Sequence, residues 1–124
     1  MTTFETKRVY VSAAASDGQR VLVDRVWPRG LRKADLGNAV WLRDVAPSTE
    51  LRKWFGHKPA RWNEFRIRYG AELKANPAVD ALISLSKRRS RVTLLYSARD
   101  LKHNQALVLA TYLKRKTRRA RAKT

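Results

Sequence analysis

Two short segments hold the residues whose types could bind an anion. In the first, Asp24, Arg25 and Arg29 surround Trp27 directly after an apolar run. A carboxylate and two guanidinium groups at a strand end can bind a planar anion in a bidentate manner, with the acid orienting one arginine. Trp27 could stack on a planar ligand. The alternative is that Asp24 pairs with an arginine only to satisfy its own burial.

The second segment follows another apolar run and contains Ser97, Arg99 and Asp100, with Asn104 at the start of a helical pattern. Free amide groups at a helix start favour anions. Asn104 is equally typical of an N-cap. No glycine-rich phosphate motif accompanies these residues. The two segments together predict a ligand site formed by Asp24, Arg25, Trp27, Arg29, Ser97, Arg99, Asp100 and Asn104.

Few residue types for catalysis are present, since the chain has two histidines and no cysteine. His103, near the second segment, and Asp24 are the candidate catalytic groups, as general acid or base. His57, beside Pro59, is typical of a loop or helix end. No metal-ligand spacing and no nucleophile motif is found, so we expect no metal and no cofactor. These residues leave open a hydrolase or transferase of unknown substrate, which we rank below the two binding functions described next.

Hydrophobic periodicity predicts the elements that position these residues. Continuous apolar runs at 21–23 and 92–96 are typical of strands covered on both faces, and 7–11 is a further predicted strand. Helical spacing and turn residues predict helices over 39–45, 49–55, 60–74, 79–85 and 104–113. Alternating strands and helices indicate an α/β fold, a small three-layer domain with a mainly parallel sheet. Ligands bind beyond the carboxyl ends of such strands, so the two segments should meet.

The charge of the chain favours anionic partners. Of its 124 residues, 28 are Lys or Arg and 10 are Asp or Glu, a net charge of +18. Seven of the basic residues lie in 114–124; without them, 21 basic residues still face 10 acidic ones. We expect one folded domain over 1–113 and a disordered tail over 114–124. A nucleic-acid-binding protein that uses the basic body and tail is the second hypothesis, although no nucleic-acid-binding motif is found.

The segments of the chain give no sign of export or membrane insertion. The first residues lack the apolar stretch of a signal peptide, and the apolar runs are too short to cross a bilayer. The absence of cysteine is compatible with a reducing compartment. We therefore expect a cytoplasmic location and no membrane partner; the sequence does not indicate an oligomeric state.

Several strings closely resemble the YeaO-like branch of domain-of-unknown-function family 488. They are VLVDRVWPRG at 21–30, WLRD at 41–44, LRKWF at 51–55, and the later Trp62, Phe65, Tyr69, Glu72 and Leu73. The resemblance extends from about Lys7 to Leu113 and implies a small α/β domain of three-layer type. Longer family members carry cysteine motifs at the places occupied here by 96–99 and 104–106, so thiol chemistry cannot be carried over.

The leading hypothesis is a cytoplasmic α/β domain that binds a small anionic or phosphate-bearing ligand. Arg29 and Arg99 would hold the anion. Asp24 would orient Arg25 or act as a base.

Overall fold

The computed structural model describes the backbone of residues 2–122 and the side chains of residues 2–119. Four strands form one sheet: β1 (Thr3–Arg8), β2 (Gln19–Leu22), β3 (Val40–Trp41) and β4 (Arg91–Tyr96). The helices are α1 (Lys33–Leu36), α2 (Thr49–Phe55), α3 (Trp62–Lys74), α4 (Ala78–Ser86) and α5 (Gln105–Ala122), with 3₁₀ turns at Ala15–Asp17, Arg43–Val45 and Pro59–Arg61.

The sheet has the order β1-β4-β2-β3, and each neighbouring pair is parallel. Parallel neighbours require long crossover connections, and α2, α3 and α4 occupy the one between β3 and β4. The predicted α/β class with a mainly parallel sheet is therefore confirmed.

Alternation along the strands divides the core between the two faces of the sheet. Val21, Val23 and Leu94 belong to the larger cluster, which packs against α2, α3, α4 and α5. Leu22 and Leu95 belong to a smaller cluster on the other face, covered by α1 and the loop before it. Strands β2 and β4 are buried on both faces, as their continuous apolar sequences predict.

Two predicted elements are wrong. The first strand lies at 3–8 instead of 7–11, because Phe4 is the buried residue that pairs beside Val92, while Tyr10 and Val11 are exposed. The predicted helix over 39–45 is instead strand β3 followed by a 3₁₀ turn. Its Trp41 donates its indole N–H to the Asp24 carbonyl over 2.7 Å, which fixes this segment beside β2.

Helices α2, α3 and α4 begin and end close to their predicted limits. Ser48 caps α2, since its hydroxyl accepts from the Leu51 amide at 3.1 Å. Glu64 and Arg68, four residues apart on α3, form an ion pair at 2.9 Å. Glu72, four residues further along α3, accepts hydrogen bonds from Ser48 and forms no pair with Arg68.

The last helix is longer than predicted. Among its described side chains the buried positions end at Leu113, and the backbone is helical as far as Ala122. Lys and Arg are good helix formers, which explains why a charged segment can extend an already packed helix. Residues 123 and 124 lie outside the described residues. Every helix in the described part of the chain is too short or too polar to span a bilayer.

Candidate functional site

The ends of β2 and β4 bring the two predicted segments together. The strands are parallel neighbours, and the Val23 amide donates to the Leu95 carbonyl at 3.0 Å just beyond the paired residues. Asp24 follows Val23 directly, and Ser97 follows Tyr96, the last residue of β4. The Ser97 amide donates to Asp24 Oδ2 at 3.2 Å, and its hydroxyl donates to the same oxygen.

Asp24 is held by neutral donors. Besides the two bonds from Ser97, Gln105 Nε2 donates to Asp24 Oδ1 at 2.6 Å. Asp24 is 8% exposed. Burial raises the pKa of Asp24 above its ordinary value, although the Ser97 and Gln105 hydrogen bonds and the charge of His57 act in the opposite direction. A carboxylate this fully engaged has little freedom to act as a base.

Arg25 is oriented by backbone carbonyls, and not by Asp24 as expected. Its Nε donates to Pro47 O at 2.8 Å and its Nη2 donates to Ala46 O at 3.1 Å. Among the described residues it forms no ion pair. Its positive charge is therefore fixed in place without being neutralised by a carboxylate.

Helix α3 holds the loop that supplies these carbonyls. The Tyr69 hydroxyl, fully buried, donates to Val45 O at 2.6 Å. Glu72 accepts from the Ser48 amide at 2.8 Å and from the Ser48 hydroxyl at 2.6 Å. Burial also raises the pKa of Tyr69, so that its hydroxyl stays a neutral donor. The position of Arg25 thus depends on side chains that are distant in sequence.

A cavity of about 320 Å³ opens at these strand ends. Phe55 and Phe65, stacked with ring centroids 4.4 Å apart, give it an apolar wall, while Arg52 and His57 line it without having been predicted. Six of the eight predicted binding residues line this cavity: Asp24, Arg25, Trp27, Arg29, Ser97 and Asn104.

The two remaining predicted residues lie beside the cavity. Arg99 and Asp100 line an adjoining, more open recess together with His57 and Ser97. Arg99 also shares a second recess with Arg29. The structure therefore brings Arg29 and Arg99 to the same end of the sheet, although they do not line the main cavity together.

Trp27 is less free than predicted. Its indole N–H donates to Leu31 O at 2.7 Å, and its ring packs edge-on against Trp41 with centroids 5.2 Å apart. These contacts join it to the smaller core cluster. It lines the cavity as a fixed wall and not as a mobile stacking platform.

The second segment is organised around Asp100. Hydrogen bonds from the Lys102 amide and from His103, whose Nδ1 lies 2.8 Å from Oδ2, lower the pKa of Asp100. Asn104 is buried, and its Oδ1 accepts from the Leu107 amide at 3.2 Å, so it caps α5. His103, the candidate acid or base, packs edge-on against Trp62 and lines the cavity in this fixed orientation.

His57 is the most informative residue that the sequence did not indicate as part of a site. It follows Gly56 at the end of α2, which agrees with the predicted helix end, but both residues adopt positive φ, 53° and 57°. A left-handed conformation is unfavourable for histidine. The turn carries His57 to the cavity, a position set by tertiary packing of α2 and not by any local motif.

No group of three or more histidine, aspartate or glutamate side chains within the described part of the chain could hold a metal ion.

Comparison with known proteins supports the resemblance. Residues 3–124 match the family model DUF488-N3i, described as an inactive DUF488-N3 subclade. The uncharacterised protein Rv3073c of Mycobacterium tuberculosis is 46% identical over 112 residues, which cover 90% of this chain and 94% of that protein. The uncharacterised protein YeaO of Escherichia coli is 44% identical over 110 residues, which cover 89% of this chain and 96% of that protein. No solved structure matches.

Proposed function

Because the chain belongs to the DUF488-N3i family, an inactive subclade by its description, we propose that its site binds a ligand without transforming it. The ligand is a small anionic or phosphate-bearing molecule. It occupies the cavity at the carboxyl ends of β2 and β4, the usual ligand position in open α/β sheets.

The observation that carries this proposal is the imbalance of charge in the cavity. Arg25, Arg29 and Arg52 line it, and none of them forms an ion pair with another described residue. The carboxylate of Asp24 lies among neutral donors, and its raised pKa reduces the cost of protonating it. Since the cavity walls include apolar side chains, this positive field is concentrated where an anion would enter.

We assign different roles to the basic residues. Arg25, fixed by two carbonyls, supplies a preorganised charge. Arg29 and Arg99 are exposed, and in our proposal they close on the anion from the rim. Phe55 and Phe65 favour a ligand that carries an apolar portion next to its anionic group.

Thermal unfolding in the presence of inorganic phosphate, sugar phosphates and nucleoside monophosphates tests this function. A ligand at about 100 times its Kd should stabilise the folded protein by about 2.7 kcal/mol. Arg29→Ala should weaken that ligand by roughly 10–100-fold, because a charged hydrogen bond contributes about 1.5–3 kcal/mol. Lys33→Ala, which removes an equal charge from α1, serves as the control. The proposal fails if no anion stabilises the protein, or if both variants respond equally.

The enzyme hypothesis makes a separate prediction. A hydrolase or transferase would turn over its substrate and lose that activity in Asp24→Asn or His103→Ala while remaining folded. The full hydrogen bonding of Asp24 and the family description both favour binding alone. A cytoplasmic location is part of the proposal, and the cysteine-free composition is compatible with it.

A further inference from the structure

A second basic surface lies on the helical side of the molecule, away from the proposed anion cavity. We name it the α3–α5 surface; it consists of Arg66, Lys114, Arg115, Arg118 and Arg119 and the groove between the two helices. We propose that the α3–α5 surface binds the phosphate backbone of a nucleic acid. This inference is independent of the anion cavity.

The periodicity of α5 places its charges in a row. The helix is anchored by Leu109 and Leu113, which are fully buried, whereas the basic residues from 114 to 119 are exposed. Residues three and four apart share a helix face. Lys114, Arg115 and Arg118 therefore lie along the outward face, opposite the anchoring leucines. A row of this kind can follow the regularly spaced phosphates of one strand.

The groove next to this row carries charge on both sides. It has a volume of about 260 Å³ and runs between Arg66 on α3 and Arg115 on α5. Gly70 leaves the groove open, since a Cβ at this position would meet nothing within 4 Å. Trp62 and Tyr112, both partly exposed, supply aromatic surface along it. Arginine beside aromatic surface is typical of nucleic-acid sites.

Few acidic groups offset these charges. Helix α5 contains no acidic residue, and the ion pair it makes with another described residue is Lys116 with Asp80, at 3.6 Å. The arginines at 115, 118 and 119 form none within the described part of the chain. Like charges four residues apart, such as Lys114 and Arg118, destabilise a helix. A polyanion would remove this repulsion on binding and release its own counterions.

The same surface is poorly suited to a membrane. Helices that lie on membranes pair a basic face with an exposed apolar face. Here the apolar face of α5 is buried against the core. Among the large apolar side chains exposed in the described residues, Ile67, 73% exposed, is the one that belongs to α3 or α5. One such residue does not form an apolar face, so the observations favour a nucleic acid.

The basic row of α5 lies away from the proposed anion cavity, although Trp62 in the groove packs against Phe65 and His103, which line that cavity. Helix α5 begins near the carboxyl end of β4 and packs along β1 and β4, so its second half lies away from the cavity. Substitutions in the basic row should therefore leave the binding of small anions unchanged. This separation keeps the failure of one proposal distinguishable from the failure of the other.

The test is fluorescence anisotropy of a labelled 20-base-pair DNA duplex, and of the corresponding single strand, over a series of salt concentrations. The variant Arg115→Gln/Arg118→Gln removes two charges from the α3–α5 surface. The matched variant Lys33→Gln/Arg43→Gln removes two exposed charges near β3, at the opposite edge of the sheet. Since all four side chains are exposed, both variants should unfold at the wild-type temperature.

Loss of two phosphate contacts should weaken binding to the duplex by roughly 30-fold at 0.15 M salt and reduce the salt slope by about 1.8. The matched variant should change affinity by less than about threefold, because screening limits charges at a distance. Equal losses of DNA affinity in the two variants would contradict a defined binding surface, because net charge alone would then explain the binding. Absence of binding at low salt, or tighter binding to vesicles of mixed neutral and anionic lipid than to DNA, would also overturn the proposal.

Discussion

Asp24 lies two residues past the end of β2 with its carboxylate turned toward Ser97, while the next side chain, Arg25, turns toward Pro47. This geometry explains why the predicted Asp24–Arg25 pair does not form. The position of both residues at the strand end could be predicted from the sequence, but their partners could not, because Pro47 and Gln105 reach them only through tertiary packing.

The hydrogen bonds to Asp24 give a first prediction. Asp24→Asn should lower the free energy of unfolding by about 1–3 kcal/mol, because the amide nitrogen would replace an acceptor that faces a donor of Ser97 or Gln105. Ser97→Ala should cost less, since its amide still donates. Urea unfolding at neutral pH measures both. A neutral effect of Asp24→Asn would show that this network does not hold the strand ends together.

The left-handed backbone of His57 gives a second prediction. His57→Gly should raise the free energy of unfolding by about 0.5–1 kcal/mol, because glycine adopts positive φ without the steric cost. His57→Ala keeps that cost and should not stabilise. If His57 contacts the ligand, both variants should lose anion affinity. Chemical unfolding combined with a phosphate titration separates the two effects; preserved affinity in both variants would remove His57 from the site.

Helices α2, α3 and α4 and strand β4 could be predicted because their apolar residues follow helical or strand periodicity. Strand β3 has two residues and α1 has four, too few for any periodic signal. Such elements form because longer neighbours offer them hydrogen bonds and apolar contacts. The same limit applies to the cavity, whose walls from α2 and α3 become neighbours only in the folded chain.

We expect opposite effects on stability when alanine replaces two different glycines. Gly18 has a φ of 65°, and a Cβ there would lie 2.2 Å from the Arg91 carbonyl oxygen where β4 begins. Gly18→Ala should therefore destabilise the fold by more than roughly 2 kcal/mol. Gly70 lies inside α3 beside open space, and Gly70→Ala should stabilise by about 0.5–1 kcal/mol. The unfolding temperatures of both variants measure these effects. An unchanged unfolding temperature in Gly18→Ala would contradict the close approach of Gly18 to Arg91.

Asp17 lies in the 3₁₀ turn between β1 and β2. Its environment leads us to expect that the stability of the fold depends on pH. Burial would raise its pKa, but hydrogen bonds from the Ala14 amide and Lys7, with the charges of Lys7 and Arg20, outweigh burial and lower it. A lowered pKa in the folded state stabilises the protein above the ordinary value, 3.8, and this contribution disappears as the pH falls.

Asp17→Asn should accordingly cost about 1–3 kcal/mol at pH 7. The difference from the wild type should shrink once the pH falls below the ordinary pKa of aspartate. Urea unfolding at pH 7 and pH 3 measures this difference. A gap that stays constant with pH would mean that the charge of Asp17 contributes nothing to stability.

At the scale of the whole molecule, the net charge of +18 includes arginines that line the cavity, arginines of the α3–α5 surface and the buried Arg20. The net positive charge and its concentration in residues 114–124 can be read directly from the sequence. The sequence did not predict that this segment continues a helix as far as Ala122, since the stability of that extension comes from the packed first half of α5.

Deletion of residues 114–124 should separate the binding of DNA from the binding of small anions. Among the described side chains of α5, Leu113 is the last buried one, so the shortened protein should remain folded. It should lose most of its affinity for DNA and keep its affinity for small anions. Arg29→Ala should show the reverse. Anisotropy and thermal unfolding measured on both proteins check this; parallel losses in both assays would contradict two independent sites.

A ¹H–¹⁵N NMR titration with the best small phosphate ester from the thermal panel tests the central claim most directly. We predict saturable shifts of amides in 24–29 and 97–100, and at His57, that are absent in Arg29→Ala. Amides of α1 and of the second half of α5 should stay unchanged. Shifts that do not saturate, or that spread over all exposed basic residues, would contradict an anion site at the carboxyl ends of β2 and β4.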